Sequence, residues 1–314
     1  MTLAIGIDLG ATKVAGALVN EQGEILAEGR APTQAKAGVE PVVARIAQVV
    51  GELLARANGE PVLGVGIGTP GLVDGAAGIV RNAVNLGWTE VLLAQEAQAA
   101  IVDQTHRALS VWVENDANSQ AVGELIFGAG RGLESFALLA IGTGLGGGII
   151  ANRRLIAGAT YTAAEVGHLS FDPNGRPCAC GLYGCVETVV SGPGLVKTTQ
   201  EFRAQGVQSI LSAQFQAEDV VIAARSGDAL ALAALAETAR WLGMALAAYT
   251  ALLNPAAIII GGGLGHSAFD LLIPTARIEL ARRALPQSHE QLQIVPAQVM
   301  SSAVGAAALV WQNQ

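Results

Sequence analysis

Charge is scarce in this chain. Only 14% of its 314 residues are Asp, Glu, Lys or Arg, and the formal net charge is -8. No basic block relieves the acidic balance, so nucleic acid and anionic membrane surfaces are poor partners. Long uninterrupted apolar runs are also missing. The most apolar stretch, Leu230 to Leu253, is broken by Glu237 and Arg240, and reads as an Ala-rich buried helix, not a membrane span. The opening MTLAIGIDLG has no basic leader and carries Asp8 inside its apolar run, unlike a secretory signal; a cytoplasmic protein is expected. Cysteine is limited to three residues. Disulfide pairing would leave one thiol over, and a reducing compartment argues against structural disulfides. The 51% of hydrophobic residues is ample for a large core, and the length suits two domains or one large α/β unit.

What the chain does have is glycine in repeated settings. Ala4 to Gly10 reads AIGIDLG and Ala140 to Gly146 reads AIGTGLG, differing only at their fourth and fifth positions. Each follows or contains an apolar lead-in and precedes another apolar segment, so strand, glycine turn, strand occurs twice. Chance likeness of glycine-rich turns is the bland reading; duplication would imply two similar lobes, each offering a glycine hairpin to a shared cleft. Around the hairpins the pattern predicts a strand at Ile25 to Glu28, a helix over Val39 to Arg56, a strand at Val62 to Gly68, a helix over Glu90 to Arg107, a strand at Val111 to Glu114 and a helix over Asp116 to Phe127. Helices from Glu218 to Leu253 lead to the stop Asn254-Pro255. A strand with a glycine turn (AIIIGGG), a helix, a strand near Leu292 to Val295 and a last helix from Ser302 complete the chain. Such alternation indicates α/β layers. The expected domains are 1–118 and 119–301, with the last helix, 302–314, returning to the first lobe.

Gly142-Thr143-Gly144-Leu145-Gly146-Gly147 satisfies G-x-G-x-x-G, yet a dinucleotide fold needs a helix to begin there. GIIANRRLIAG follows instead, β-branched and turn-bounded, so that reading is rejected. No Walker A sequence is present either. Glycine still lets backbone N–H groups approach phosphate oxygens. In Asp8-Leu9-Gly10-Ala11-Thr12-Lys13 side chains join in: Asp8 can hold a magnesium-bound water, Thr12 can donate a hydroxyl and Lys13 can offset phosphate charge. An ordinary tight hairpin is the bland alternative. A third glycine turn, Gly261-Gly262-Gly263, shifts the balance towards nucleotide binding.

Glu114-Asn115-Asp116 stands at the end of a short apolar strand, where open α/β sheets gather ligands. Asp116 can be a helix N-cap or a general base for a hydroxyl nucleophile, with Asn115 orienting the substrate. All three cysteines lie in CACGLYGCVE. Cys178, Cys180 and Cys185 supply three soft ligands, and His168, on an expected strand HLSF, completes a tetrahedral set of the kind that holds structural zinc. Fixing the ion would fix Glu165, Glu187 and the far side of His168, which suit a polyhydroxylated ligand.

DLGATK, GTPG, ENDAN, IGTGLGGG, AEVGH, CACGLYGCVE and NPAAIIIGGG stand in an order and spacing that resembles the ROK family of bacterial sugar kinases and sugar-responsive repressors. The resemblance covers nearly the whole chain. It implies an α/β fold of the actin-like ATPase (ribonuclease H-like) type, two lobes closing over a cleft. It implies that Asp116 is the catalytic base, that Asn115, Glu165, His168 and Glu187 contact the sugar, and that zinc sits on His168, Cys178, Cys180 and Cys185. ATP phosphates would lie between Asp8, Gly10, Thr12 and Lys13 on one side and Thr143, Gly144 and Gly146 on the other, with adenosine near Gly262 and Mg2+ placed through water by Asp8. Discrimination between sugars would sit in Gly71 to Trp88, where Asn85 reaches the sugar. Two residues depart from the family's usual glycine, Ala11 and Ala164; the Ala164 methyl beside Glu165 would narrow the pocket. The expected reaction is ATP-dependent phosphorylation of a hexose, glucose at its 6-hydroxyl. Alternatives are an amino sugar such as N-acetylmannosamine or N-acetylglucosamine, fructose or allose, and, outside enzymes, a sugar-sensing repressor. Family repressors carry an N-terminal DNA-binding module, for which a first strand at Leu3 leaves no room. Hexose and ATP are the expected partners, in a homo-oligomer, dimer or tetramer.

Overall fold

A computed structural model describes all residues, 1–314. The chain forms two compact units. The first comprises Met1–Gly132, Arg154–Ala163 and Gln298–Gln314, the second Leu133–Arg153 and Ala164–Ala297.

In the first unit the strands are β1 (Leu3–Leu9), β2 (Lys13–Asn20), β3 (Ile25–Pro32) and β4 (Val62–Thr69), then a small antiparallel sheet of β5 (Leu72–Asp74), β6 (Ile79–Ala83) and β7 (Trp88–Val91), then β8 (Ser110–Asn115). The main sheet runs β3-β2-β1-β4-β8. β1 and β2 form an antiparallel hairpin, while β1, β4 and β8 are parallel. The helices α1 (Val39–Ala55) and α2 (Leu93–Thr105) bury Val42, Ile46, Val50, Leu93 and Ile101 with Ile5, Ile7 and Ile67 of the sheet. α3 (Asp116–Ile126) leaves the end of β8 directly. The helix expected over Glu90 to Arg107 starts later. Val91 pairs with Val80 in the small sheet, and Glu90 adopts φ 53, outside the helical region.

The C-terminal helix, Ser302–Gln312, covers the other face of this sheet, burying Ala303, Val304 and Ala307 with Ala4, Ala17 and Val19. It comes so close that a Cβ at Gly6 or Gly66 would run into the carbonyls of Ala303 and Ala306. The carboxylate of Glu124 on α3, fully buried, accepts the N–H groups of Gln298 (2.9 Å) and Val299 (2.7 Å) and so fixes the approach to that helix. The boundary expected at Asn118 therefore falls inside α3. That helix packs on the C-terminal one, so its unit continues to Gly132.

The second unit repeats the plan. β9 (Phe136–Ile141) and β10 (Leu145–Ala151) form the hairpin; a two-residue strand β11 (Arg154–Leu155) precedes the return to this unit; β12 (Ala257–Gly261) lies parallel to β9 and β13 (Gln293–Pro296) parallel to β12. The order β10-β9-β12-β13 matches β2-β1-β4-β8 in sequence and sense. The helices are α4 (Gly192–Ala204), α5 (Ala217–Arg225), α6 (Ala229–Leu253), α7 (Gly263–Ser267), α8 (Phe269–Arg283) and α9 (Pro286–His289). α6 is the one helix long and apolar enough to cross a membrane. It buries Ala231, Leu235, Leu242 and Leu246 in the core beneath β9 and β12, which is the role its alanines suggest.

Candidate functional site

In the first unit, the turn between β1 and β2 is closed by the N–H of Gly10 donating to the carbonyl of Lys13 at 3.0 Å. Thr33, fully buried, donates its hydroxyl to the Gly10 carbonyl at 2.6 Å, and its N–H donates to the Thr12 carbonyl at 3.1 Å. Thr12 and Lys13 stay exposed at the tip. Asp8 sits at the end of β1, half-buried. Burial pushes its carboxyl up, against the opposing pull of Lys13, so a cation arriving there would relieve the cost of its charge.

At the tip of β8, Asn115 is the cap of α3. Its side-chain oxygen accepts from the N–H groups of Ala117 (2.9 Å) and Asn118 (3.2 Å), and its Nδ2 donates to the Gly71 carbonyl at 3.0 Å. Behind it the buried Glu114 accepts from the Asn115 N–H at 2.7 Å and from Asn118 Nδ2 at 3.1 Å, and burial pushes its carboxyl up. With capping assigned to Asn115, Asp116 is the first helical residue. It is exposed, with one oxygen accepting from the Ala117 N–H at 2.8 Å. Gly71 and Asn115 are thus brought together. Asn85 is not tied to them: it lies exposed on a single turn, Val84–Leu86, without a hydrogen-bonded partner. Tyr161 points to the small sheet of this unit, its hydroxyl on Asp74 and the Arg81 guanidinium 6.0 Å from its ring centre.

In the second unit, His168, Cys178, Cys180 and Cys185 bring one ligand atom each to within 4.8 Å of one another. Cys178 Sγ is 3.7 Å from His168 Nδ1, and Cys180 Sγ is 3.7 Å from Cys185 Sγ. One imidazole nitrogen and three thiols at such separations fit a tetrahedral thiophilic cation such as zinc. His168 is not on a strand as its surroundings HLSF suggest. It ends a single 3-10 turn, Val166–His168, and only Ser170 bridges to Cys185. The corner is what aims Nδ1 at the thiols and leaves Nε2 3.8 Å from Glu165 Oε2. Burial pushes the Glu165 carboxyl up, His168 opposes this, and the nearby Glu187 carboxylate adds to it. Glu187 turns one oxygen onto the Leu145 N–H of the glycine hairpin, 2.8 Å away. Ala164 has φ 66, a left-handed backbone that disfavours a side chain, and its carbonyl accepts from Tyr249 Oη at 3.2 Å.

The second hairpin turn is closed by the Gly142 N–H donating to the Gly144 carbonyl at 2.9 Å. Gly142, Thr143, Val196, Ala217 and Leu264 are among the residues lining a cavity of about 690 Å3, within the range of small-molecule sites. Gly262, with φ 78, follows β12 and lies against the backbone of Ile141, where a Cβ would collide. A second cavity, about 380 Å3, shares Thr143 and Lys197 with the first and is also lined by Arg176, Cys178 and Glu187. The contribution of α4 and α5 to these walls was not visible in the sequence.

Residues 4–313 match the ROK family. The chain belongs to the ROK family. ROK relatives span its whole length: a glucokinase of Thermotoga maritima is 34% identical over 315 residues, covering 98% of this chain and 96% of that one. Among solved ROK structures, a glucokinase from Streptomyces griseus in complex with glucose and AMPPNP is 35% identical, covers 99% of both chains and superposes with a TM-score of 0.80. A ROK transcriptional regulator, a homologue of the E. coli MLC protein, is 29% identical with a TM-score of 0.89 over 99% of this chain and 78% of that one. The actin-like ATPase fold expected from the sequence is the fold of this ROK protein, present as two α/β units of matching strand order.

Proposed function

We infer that the chain is an ATP-dependent hexose kinase, a glucokinase that transfers the γ-phosphoryl group of ATP to the 6-hydroxyl of glucose. Identity of 34% to a glucokinase across 98% of the chain carries this reading. The glucose 6-hydroxyl oxygen attacks the γ-phosphorus, its proton passes to the carboxylate of Asp116, and ADP leaves. Support for Asp116 in this role is its exposure at a strand tip, with Asn115 carrying the helix cap. Asn115, held from Gly71 and Glu114, keeps its neighbour in place, so the base acts from a fixed position. Glu165, His168 Nε2 and Glu187 bind sugar hydroxyls as a group of acceptors and donors.

The amides of the second hairpin turn bind phosphate oxygens, and the 690 Å3 cavity takes the nucleoside. Asp8 would hold Mg2+, which would offset charge on the phosphates. His168, Cys178, Cys180 and Cys185 hold a structural zinc, which supplies rigidity to a loop rich in glycine. A coupled ADP-release assay across a hexose panel tests the reading, with glucose expected to turn over fastest. The likeness to a ROK regulator favours a second reading, a sugar sensor. Sugar binding without sugar-dependent ADP release would replace the first reading by the second.

A further inference from the structure

The strip from Cys185 to Gly192 joins the thiol cluster to α4, and it is stitched to the glycine hairpin at two points. Glu187 Oε2 accepts from the Leu145 N–H at 2.8 Å, and the Gly192 N–H donates to the Gly142 carbonyl at 2.8 Å. The strip is itself braced. Thr188 donates its hydroxyl to the Cys185 carbonyl and Ser191 to the Glu187 carbonyl, each at 2.7 Å. The fit around the carboxylate is close: a Cβ on Gly144 would stand 2.5 Å from Glu187 Oε2. Within the turn that receives this bond, Gly142-Thr143-Gly144, one backbone bond runs from the Gly142 N–H to the Gly144 carbonyl. A glycine-rich turn samples many conformations, and ordering it around a phosphate costs binding free energy. A charge-assisted bond to a fixed carboxylate removes part of that cost in advance.

We propose that Glu187 is a positioning residue for the nucleotide as well as a sugar contact: one carboxylate oxygen sets the turn that faces the phosphates, and the other is left for the hexose. The inference rests on the kinase reading above. It makes hexose and nucleotide binding interdependent, because both sites draw on one side chain.

Calorimetric titration of Mg2+ and AMPPNP into the full chain, without sugar, tests it, with zinc content and thermal midpoint recorded for each variant. Glu187→Ala is expected to weaken nucleotide binding about tenfold, the scale of one charged hydrogen bond. Glu187→Gln, whose amide oxygen can still accept from Leu145, stays within about twofold of the unmutated chain. Glu165→Ala loses hexose affinity while its nucleotide affinity holds. A second variant serves if Glu187→Ala loses its zinc or its fold. Gly144→Ala, in the turn itself, is expected to weaken glucose binding at least about threefold in the absence of nucleotide, because it displaces the carboxylate. Nucleotide affinity unchanged in a folded Glu187→Ala, Glu187→Gln falling as far as Glu187→Ala, or glucose affinity unchanged in Gly144→Ala would each overturn the proposal. An unmutated chain that bound no nucleotide would instead remove the kinase reading.

Discussion

The turn after β1 and the turn after β9 come from matching hairpins in matching sheets, and they are held by different chemistry. Thr33, a neutral hydroxyl just past the end of β3, secures the first at the Gly10 carbonyl. Glu187, a carboxylate delivered by the thiol-bearing loop, secures the second at the Leu145 amide. The first turn keeps Thr12 and Lys13 as exposed side chains, whereas the second offers mostly glycine backbone. Matching hairpins are thus braced in different ways. The first turn is braced from within its own unit and presents a hydroxyl and an ammonium side chain. The second depends on a loop that gathers three thiols and an imidazole, and ties a backbone donor of its turn to the carboxylate of Glu187.

The largest test of that contrast is Asp116→Ala. It should lower kcat by roughly 10²–10⁴-fold, the scale of a lost general base, while glucose binding by calorimetry persists; unchanged turnover would remove Asp116 from the role. Next, Cys185→Ser should lose bound zinc by metal analysis and weaken glucose binding by at least about tenfold, while the first unit keeps its stability. An unmutated protein free of zinc would break this contrast. Thr33→Val removes one hydroxyl bond and should cost about 1 kcal/mol, raising KM for ATP a few-fold with KM for glucose unchanged. An equal rise in both would mean the first turn is not separate from the sugar side.

A pH titration probes the second unit alone. Burial raises the Glu165 carboxyl above its ordinary 4.5, so the folded chain holds this proton more tightly than the unfolded one. Ionised Glu165 therefore costs stability above its folded pKa, and that cost disappears below the unfolded value. Glucose binding needs the ionised acceptor and should weaken as pH falls through the folded pKa, a trend that Glu165→Gln should flatten. The smallest effect is expected from Ala164→Gly. It relieves a left-handed alanine and should raise stability by up to about 1 kcal/mol in thermal unfolding.

Much of this was legible before any coordinates. Apolar runs with glycine turns gave both hairpins, since strand alternation and turn chemistry are local. The thiol cluster was legible because its ligands are close in sequence. What escaped depended on distant partners or on a choice between neighbours. Thr33 meets Gly10 across 23 positions, and nothing around it marks a turn brace. Asn115 and Asp116 are both good caps, and only the backbone path decides between them. His168 reads as lying on a short apolar run, yet it ends a single 3-10 turn that faces its Nδ1 towards Cys178 Sγ. The expected boundary at Asn118 missed because the end of a strand looks like the end of a lobe until α3 is seen packed on the C-terminal helix.

That C-terminal helix has a consequence for synthesis. Strand β1 leaves the ribosome well before Ser302–Gln312, so one of its faces stays bare until that helix has emerged, and Glu124 must keep one acceptor oxygen ready for Gln298 and Val299 over the same interval. The second unit, complete by Ala297, can settle first. Nascent first-unit strands are then the part of the molecule that most needs shielding from neighbouring chains, and removing the helix Ser302–Gln312 would leave them permanently in that state.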